Sequence, residues 1–439
     1  MTTTSEKLGT SEKLGTSEKL GTSEKLGTGA VFLRVTLPLS GVNFLNQAAR
    51  ALIATIGPAL ALEFNLTAKE LGLLAAMFFT SYAAAQLPVG VAMDRFGVRR
   101  VQITLALMAG IGFVLCAVAT GPFTLALGRM VTGWGISVGM IAMLTAHTQW
   151  VAREKVAAMT GSGTFVASVG AIFATWPAQQ VLPLVGWRGL FWVLAGVSTL
   201  VSAAIWWRMP ERVSTAPHHR SLRHEMAEYG RIFRSPAFFR SAAAIALLTS
   251  LSFVYGGLWA GPWLRDVGGF ADEPRALLLG VFMAGMMTGS LSNGQLASAL
   301  HRRGVNPMTM AYVGMGLIWL LQGLLIVVPS RDPVVIGAIW FAFAFASSAG
   351  PSGYAAVSHR FPAAMAGRVA TAMNFTMLVL VFILQNAIGW ILDLWPRTAS
   401  GGWDSAGYGW ALGLTVVLQT VAMLGLLPRR PTPTASPAL

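Results

Sequence analysis

Beyond residue 30 the chain alternates long apolar runs with short polar gaps. The runs fall near 33–61, 71–93, 101–120, 122–148, 158–183, 189–207, 241–264, 276–300, 306–329, 333–357, 364–392 and 405–427. A helix needs about 20 mostly apolar residues to cross a bilayer, so each run predicts one transmembrane helix. The longest polar gap, 208–240, separates the sixth run from the seventh. The pattern therefore predicts an all-α membrane protein of twelve transmembrane helices in two six-helix bundles. The bundles are expected at 31–207 and 241–428, joined by a linker at 208–240, with tails at 1–30 and 429–439.

Residues 4–27 repeat Thr-Ser-Glu-Lys-Leu-Gly without variation. The leucines Leu8, Leu14, Leu20 and Leu26 step by six residues, leaving neighbours about 240° apart on a helix, so no apolar stripe forms. Glycine in every copy weakens a helix further. The repeat is read as a disordered tail.

Composition narrows the class. Charged residues make up 11% of the chain, against about 25% in soluble proteins, too few to cover a soluble surface. The formal charge is +14, but the basic residues sit in the gaps between apolar runs, which argues against a nucleic-acid face. With the N-terminus inside, the cytoplasmic gaps carry Arg95, Arg99 and Arg100, then Arg153 and Lys155, the arginines of 208–240, Arg302 with Arg303, Arg360 with Arg368, and Arg429 with Arg430. The opposite gaps are poor in net positive charge. This is the positive-inside pattern, and it places both termini in the cytoplasm of a bacterial inner membrane. The one cysteine, Cys116, lies in an apolar run, so no intramolecular disulfide forms.

Two motifs recur in part. Gly90-Val-Ala-Met-Asp94-Arg95-Phe-Gly97-Val-Arg99-Arg100 follows the second run, and Gly294 to Ser298, then His301 to Gly304, follows the eighth. The first resembles the loop signature of the major facilitator superfamily, Gly-x-x-x-Asp-Arg-x-Gly-x-Arg-Arg, at every fixed position. Gly128-Arg129 through Gly133, Gly135 and Gly139 is similar to the family's motif in its fourth helix, and Gly186-Trp187-Arg188 is similar to the family before its sixth. The resemblance implies a twelve-helix transporter fold over the chain beyond residue 30. It also implies that Gly90, Asp94, Arg95, Gly97, Arg99 and Arg100 act as a gate. On physical grounds Gly90 is expected to let helices approach. Asp94 is expected to face the positive end of the eleventh helix near Gly367, and the arginines to tie the cytoplasmic ends together.

Arg50 stands midway along the first run, on one helical face with Asn43, Asn46 and Gln47. A cation at that depth should face water or a polar partner rather than lipid. The spacing from Arg50 to Pro58 resembles the anion:cation symporter and organophosphate antiporter branches, as does Phe78 through Gln86 to Gly90 for the former. A guanidinium grips carboxylate or phosphate through a planar fork, which points to an anionic organic substrate. Phe253 to Trp259 lacks the second arginine of the organophosphate antiporters, which favours a single carboxylate over a phosphate. None of the seventeen acidic residues falls at mid-membrane depth, which argues against cation efflux and against carboxylate-based proton coupling.

The remaining candidate contacts are Arg129 in the fourth run and Tyr255, Trp259, Asn374 and Gln385 in the second half, for which helix packing is the competing role. His147 is isolated and gives no metal cluster. No cofactor or metal site and no catalytic constellation is found, so an enzyme is not expected. The reading is a monomeric secondary transporter in the lipid bilayer, working by alternating access on a small-molecule substrate with a proton or sodium as coupling ion. The alternatives are a non-transporting scaffold or sensor of the same fold and an exporter of a neutral or amphiphilic compound.

Overall fold

The computed structural model describes residues 27–211, 222–305, 307–327, 330–350, 353–354, 357, 361, 365–399 and 401–426. The repeat at 4–26, the linker stretch 212–221, Arg360, Arg429 and Arg430 lie outside the described residues, as do the side chains of Asp94 and Ser298.

Apolar runs become helices because each satisfies its own backbone hydrogen bonds, which the bilayer core demands. In chain order these are α1 (Thr28–Glu63), α2 (Ala68–Phe96), α3 (Val98–Ala117), α4 (Pro122–Trp150), α5 (Arg153–Phe173) and α6 (Trp176–Arg208). A helix outside the spanning set, α7 (Leu222–Arg234), follows. α8 runs from Pro236–Val254 through a π-helical turn, Tyr255–Trp259, to Ala260–Asp266. Then come α9 (Asp272–Arg302), α10 (Pro307–Val327), α11 (Pro333–Ser347), α12 (Ala366–Leu392) and α13 (Ser405–Leu426). Among the described residues nine helices are long and apolar enough to cross a membrane, and α2, α5 and α11 complete the twelve.

One predicted boundary moves. The run 158–183 was expected to be a single helix, but α5 ends at Phe173 and α6 already begins at Trp176. Residues 176–185 are apolar yet belong to a segment ahead of a break at Gly186, whose φ of 66° and ψ of 173° suit glycine. Leu184 there is 83% exposed, so hydropathy alone misassigned the segment.

Helices α1–α6 form one bundle, with α1 on α5, α3 on α4 and α6, and α2 on α4. Helices α8–α13 form the other, with α9 on α11, α8 on α12, and α10 on α11 and α13. The core of the second bundle is aromatic: Tyr255, Phe282, Trp340 and Phe343 are buried with ring centroids 5.4–6.1 Å apart. The bundles meet along α2–α12 and α1–α8.

With twelve crossings, α1 starts and α13 ends on the same side, called here the terminal face. The bundles join on the opposite, far face. There the Asp393 carboxylate, just past α12, accepts from the backbone N–H groups of Ala68 and Lys69 at 2.8 Å each. Arg397 donates to the Leu66 carbonyl, and Gln180 to Glu273 at 3.3 Å. Glycines set the close approaches. A Cβ at Gly389 would lie 2.5 Å from the Ala68 carbonyl oxygen, and one at Gly72 would lie 2.6 Å from that of Gln385. A Cβ at Gly261 of α8 would overlap the carbonyl oxygen of Ala54, which Pro58 leaves without its helical donor.

The connection between bundles is held at both ends. Glu211 accepts from Arg100 at 2.5 Å and lies 3.7 Å from Arg99. On the other side α7 pairs Glu228 with Arg368 of α12 at 2.5 Å. Its Phe233 ring lies 5.5 Å from Phe238 and 6.0 Å from Phe375.

Candidate functional site

Four helices from both bundles line a small, partly open central cavity. α1 contributes Gln47, Arg50 and Ala51, and α5 contributes Ser168 and Ala171. From the other bundle come Ser252, Phe253, Gly256 and Gly257 of α8, and Met283, Met286, Met287 and Ser290 of α9. The site lies where α1 meets the π-helical turn of α8. That turn opens the helix, places Gly257 near the Arg50 carbonyl, and lets Gly256 take the edge of Phe282.

Arg50 is the charged residue of this lining. Its guanidinium carbon stands 4.7 Å from the Phe253 ring centroid, 5.0 Å from Tyr82 and 5.7 Å from Phe79. Ring faces stabilise a cation by about 0.5–2 kcal/mol, and the Tyr82 hydroxyl is a further polar neighbour of the guanidinium. Among the described residues no carboxylate pairs with Arg50, and its Nε has no hydrogen-bond partner. The described acidic residues lie at helix ends, in loops and on α7, outside the spanning helices. The cation is thus held in an aromatic collar beside a cavity, without a described carboxylate partner.

The expected companions of Arg50 divide. Gln47 lines the cavity with it. Asn43 and Asn46 are buried beside it on α1 instead; Asn43 donates to the Leu39 carbonyl at 3.1 Å, and the Asn46 Oδ1 is unbonded. Arg129 is 1% exposed and does not line the cavity. It donates to the Ala49 carbonyl at 2.7 Å and lies 4.5 Å from the Phe78 ring, so it props the turn of α1 that carries Arg50. Tyr255 also lies outside the cavity, because its ring packs on Trp340 and Phe343 and its hydroxyl meets Thr415 at 3.2 Å. Trp259 and Gln385 are buried where α2, α8 and α12 converge on the far-face side of the cavity. The Trp259 Nε1 and both side-chain polar atoms of Gln385 are unbonded. Asn374 is half-buried on α12 and is not among the lining residues.

Among the described residues, the gate positions Gly90, Gly97, Arg99 and Arg100 make no hydrogen bond or ion pair that joins the bundles. Gly90 was expected to permit close helix approach, but a Cβ there would meet nothing within 4 Å. α2 touches α12 near Ala68 and Gly72, whereas at Gly90 the space a Cβ would fill is open. Gly97 ends α2 with φ 81°, and Gly304 follows α9 with φ 80°, so both helices stop at a conformation that favours glycine. Arg99 and Arg100 bind Glu211, and Arg99 also donates to the Trp206 carbonyl at 2.5 Å, all within the first bundle or at its exit. Arg95 is exposed beside Phe96. The partner of Asp94 falls outside the described residues.

Sequence reasoning missed Ser168, Ser252, Ser290 and the three methionines as lining residues, and missed Asp393 altogether. Serines and methionines in apolar runs carry no signal that separates a cavity wall from a packing surface.

Two bundles of six helices around a central cavity, joined on one face, define a membrane-transporter architecture. The Major Facilitator Superfamily profile matches residues 39–385, and the chain belongs to that family. It is similar to the "Probable sulfoacetate transporter SauU" of Cupriavidus necator, at 26% identity over 59% of this chain and 63% of that protein. The match therefore spans less than two thirds of that relative. The "Cis,cis-muconate transport protein" of Acinetobacter baylyi is 26% identical over 70% of this chain and 74% of its own length. Among solved structures, a bacterial homolog to the human lysosomal transporter Spinster, inward-facing and unoccupied, superposes with TM-score 0.70 at 17% identity, covering 89% of this chain and 95% of that one. The nucleoside transporter NupG gives 0.71 at 13% identity, covering 90% and 99%. At such identities the likeness establishes the fold.

Proposed function

We propose that the protein is a secondary transporter that carries a small organic anion across the membrane by alternating access, with the terminal face in the cytoplasm. The observation that carries this reading is Arg50. A guanidinium collared by three rings at the central cavity, without a carboxylate partner among the described residues, is a site an anion completes. An unpaired cation inside a membrane costs about 2.5–3.5 kcal/mol on insertion scales. An incoming carboxylate or sulfonate recovers part of that. The hydroxyls of Ser168, Ser252 and Ser290 supply further polar contact, and Met283, Met286 and Met287 suit an apolar remainder. Both named relatives are designated transporters of organic acids, sulfoacetate and muconate, which supports the same substrate class. Bundles tied on the far face and apart at Gly90 fit one end state of the alternating cycle.

The test is thermal stabilisation of the purified protein by benzoate, cis,cis-muconate and sulfoacetate, with glucose as the neutral control. A ligand at about 100 times its Kd stabilises by about 2.7 kcal/mol, a readily measured shift. At least one anion is expected to stabilise the protein, Arg50→Ala to abolish the shift, and Arg50→Lys to weaken it because the planar fork is lost. An anion-dependent shift that survives Arg50→Ala, or stabilisation by glucose alone, overturns the reading.

A further inference from the structure

A second polar site lies on the terminal-face half of the first bundle. His147, near the end of α4, has no exposed surface. Its Nε2 lies 2.9 Å from the Thr36 hydroxyl of α1 and its Nδ1 lies 2.8 Å from the Thr160 hydroxyl of α5. Three helices thus converge on one imidazole, and both ring nitrogens face hydroxyls. A carbonyl partner would fix one nitrogen as donor, and a carboxylate would hold the ring charged. A hydroxyl rotates and serves as donor or acceptor, so this pair satisfies both the neutral ring and the imidazolium. The site therefore accommodates a change of charge without leaving a polar group unbonded.

The site is also connected to the cavity. Thr36, Ser40, Asn43, Gln47 and Arg50 follow one another at spacings of four and three, which places them on one face of α1. At about 1.5 Å per residue, Thr36 and Arg50 lie roughly 21 Å apart along this polar stripe. Thr36 closes a π-helical turn, Phe32–Thr36, and its carbonyl accepts from Ser40 at 2.8 Å. Single π-helical turns of this kind occur frequently at functional sites. Protonation forces both hydroxyls to accept, whereas the neutral ring needs one of them to donate. The two hydroxyls that must change role belong to α1 and α5, and these two helices form the first-bundle wall of the cavity.

The charged groups on the elements packed against α4 here are the following. On α1, Arg34 is exposed. On α3, Arg99 and Arg100 bind Glu211. On α5, Lys155 donates to Thr28 at 3.2 Å, and the side chains of Arg153 and Glu154 lie outside the described residues. No described carboxylate stands at mid-membrane depth to carry a coupling proton.

We propose that His147, clasped by Thr36 and Thr160, is the proton-binding site of this transporter, and that its protonation shifts the bundles between their two end states. The proton comes from and returns to water; no bond between heavy atoms changes. The coupling role rests on the transport function proposed above, so the test uses no substrate. Spin labels are attached through Phe123→Cys and Val334→Cys, two exposed far-face positions at the starts of α4 and α11. The ratio of long to short label distances is followed by pulsed electron resonance in nanodiscs as the pH is varied.

The parent is expected to show a one-proton transition between about pH 5 and 8, the range in which histidine titrates. His147→Gln should abolish that transition. Thr160→Val should move it to lower pH, because losing an acceptor disfavours the imidazolium. Glu154→Gln should leave it in place. A transition that persists in His147→Gln, that follows Glu154 instead, or that is unmoved by Thr160→Val overturns the proposal. If His147→Gln does not fold, the Thr160→Val midpoint decides. Failure of the anion assignment leaves this titration unaffected, so the two readings fail separately.

Discussion

Removing the Asp393 carboxylate should release the far face. The first four N–H groups of a helix have no partner inside it. In α2 two of the groups at this terminus are satisfied locally: the Thr67 N–H meets Glu70 at 2.8 Å, and the Glu70 N–H meets the Thr67 hydroxyl at 3.1 Å. The other two, of Ala68 and Lys69, are satisfied by Asp393 from the opposite bundle. Losing a helix N-cap costs about 1 kcal/mol. Losing an anion at the positive end of the helix dipole costs about 0.3–1 kcal/mol more. The contact exists only while the bundles are joined here, so Asp393→Ala should raise the far-face-open to far-face-closed ratio about tenfold, at 1.4 kcal/mol per decade. Asp393→Asn keeps one acceptor oxygen and should fall between. The assay is the distance distribution between labels at Phe123→Cys and Val334→Cys at fixed pH. A ratio within about twofold of the parent in the alanine variant, with the protein otherwise folded, would falsify the latch.

Gly261→Ala should also favour opening of the far face, since its Cβ has no room against the Ala54 carbonyl. Overpacking of this kind costs about 1–3 kcal/mol, and an unchanged melting temperature together with an unchanged label distribution would contradict it. Arg129→Met should lower stability by about 1–3 kcal/mol, because it leaves the Ala49 carbonyl without its side-chain donor. Denaturation of the purified variant checks this, and an unaltered midpoint would show that the carbonyl finds another donor.

Much of the fold was legible because the bilayer forces long apolar runs, and the gaps between them carry a charge asymmetry. The misplaced boundary at Phe173–Trp176 shows where that signal ends: an apolar segment outside the packed core has the same hydropathy as one inside it. Arg50 was legible because a cation in an apolar run is costly and therefore conspicuous. Arg129 was equally conspicuous, yet it holds a carbonyl rather than lining the cavity. Helical periodicity gives the face of a residue, but not whether a neighbouring helix or an opening stands opposite. Tyr255 failed as a cavity residue for the same reason. Asp393 was invisible because its partners Ala68 and Lys69 lie 325 and 324 residues away, and an aspartate just past a helix end is unremarkable by itself.

The paired anchors of the inter-bundle connection set a limit on travel. Glu211 is fastened to α3, and α7 is fastened to α12 through Glu228 and Phe233. Ten residues, 212–221, separate Glu211 from the start of α7. A fully extended peptide covers at most about 3.3–3.6 Å per residue, so this stretch reaches roughly 35 Å. The terminal-face ends of the bundles are thus leashed. Shortening 212–221 should cap the widest opening without touching the cavity, and lengthening it should leave the cycle unaltered until the anchors themselves let go.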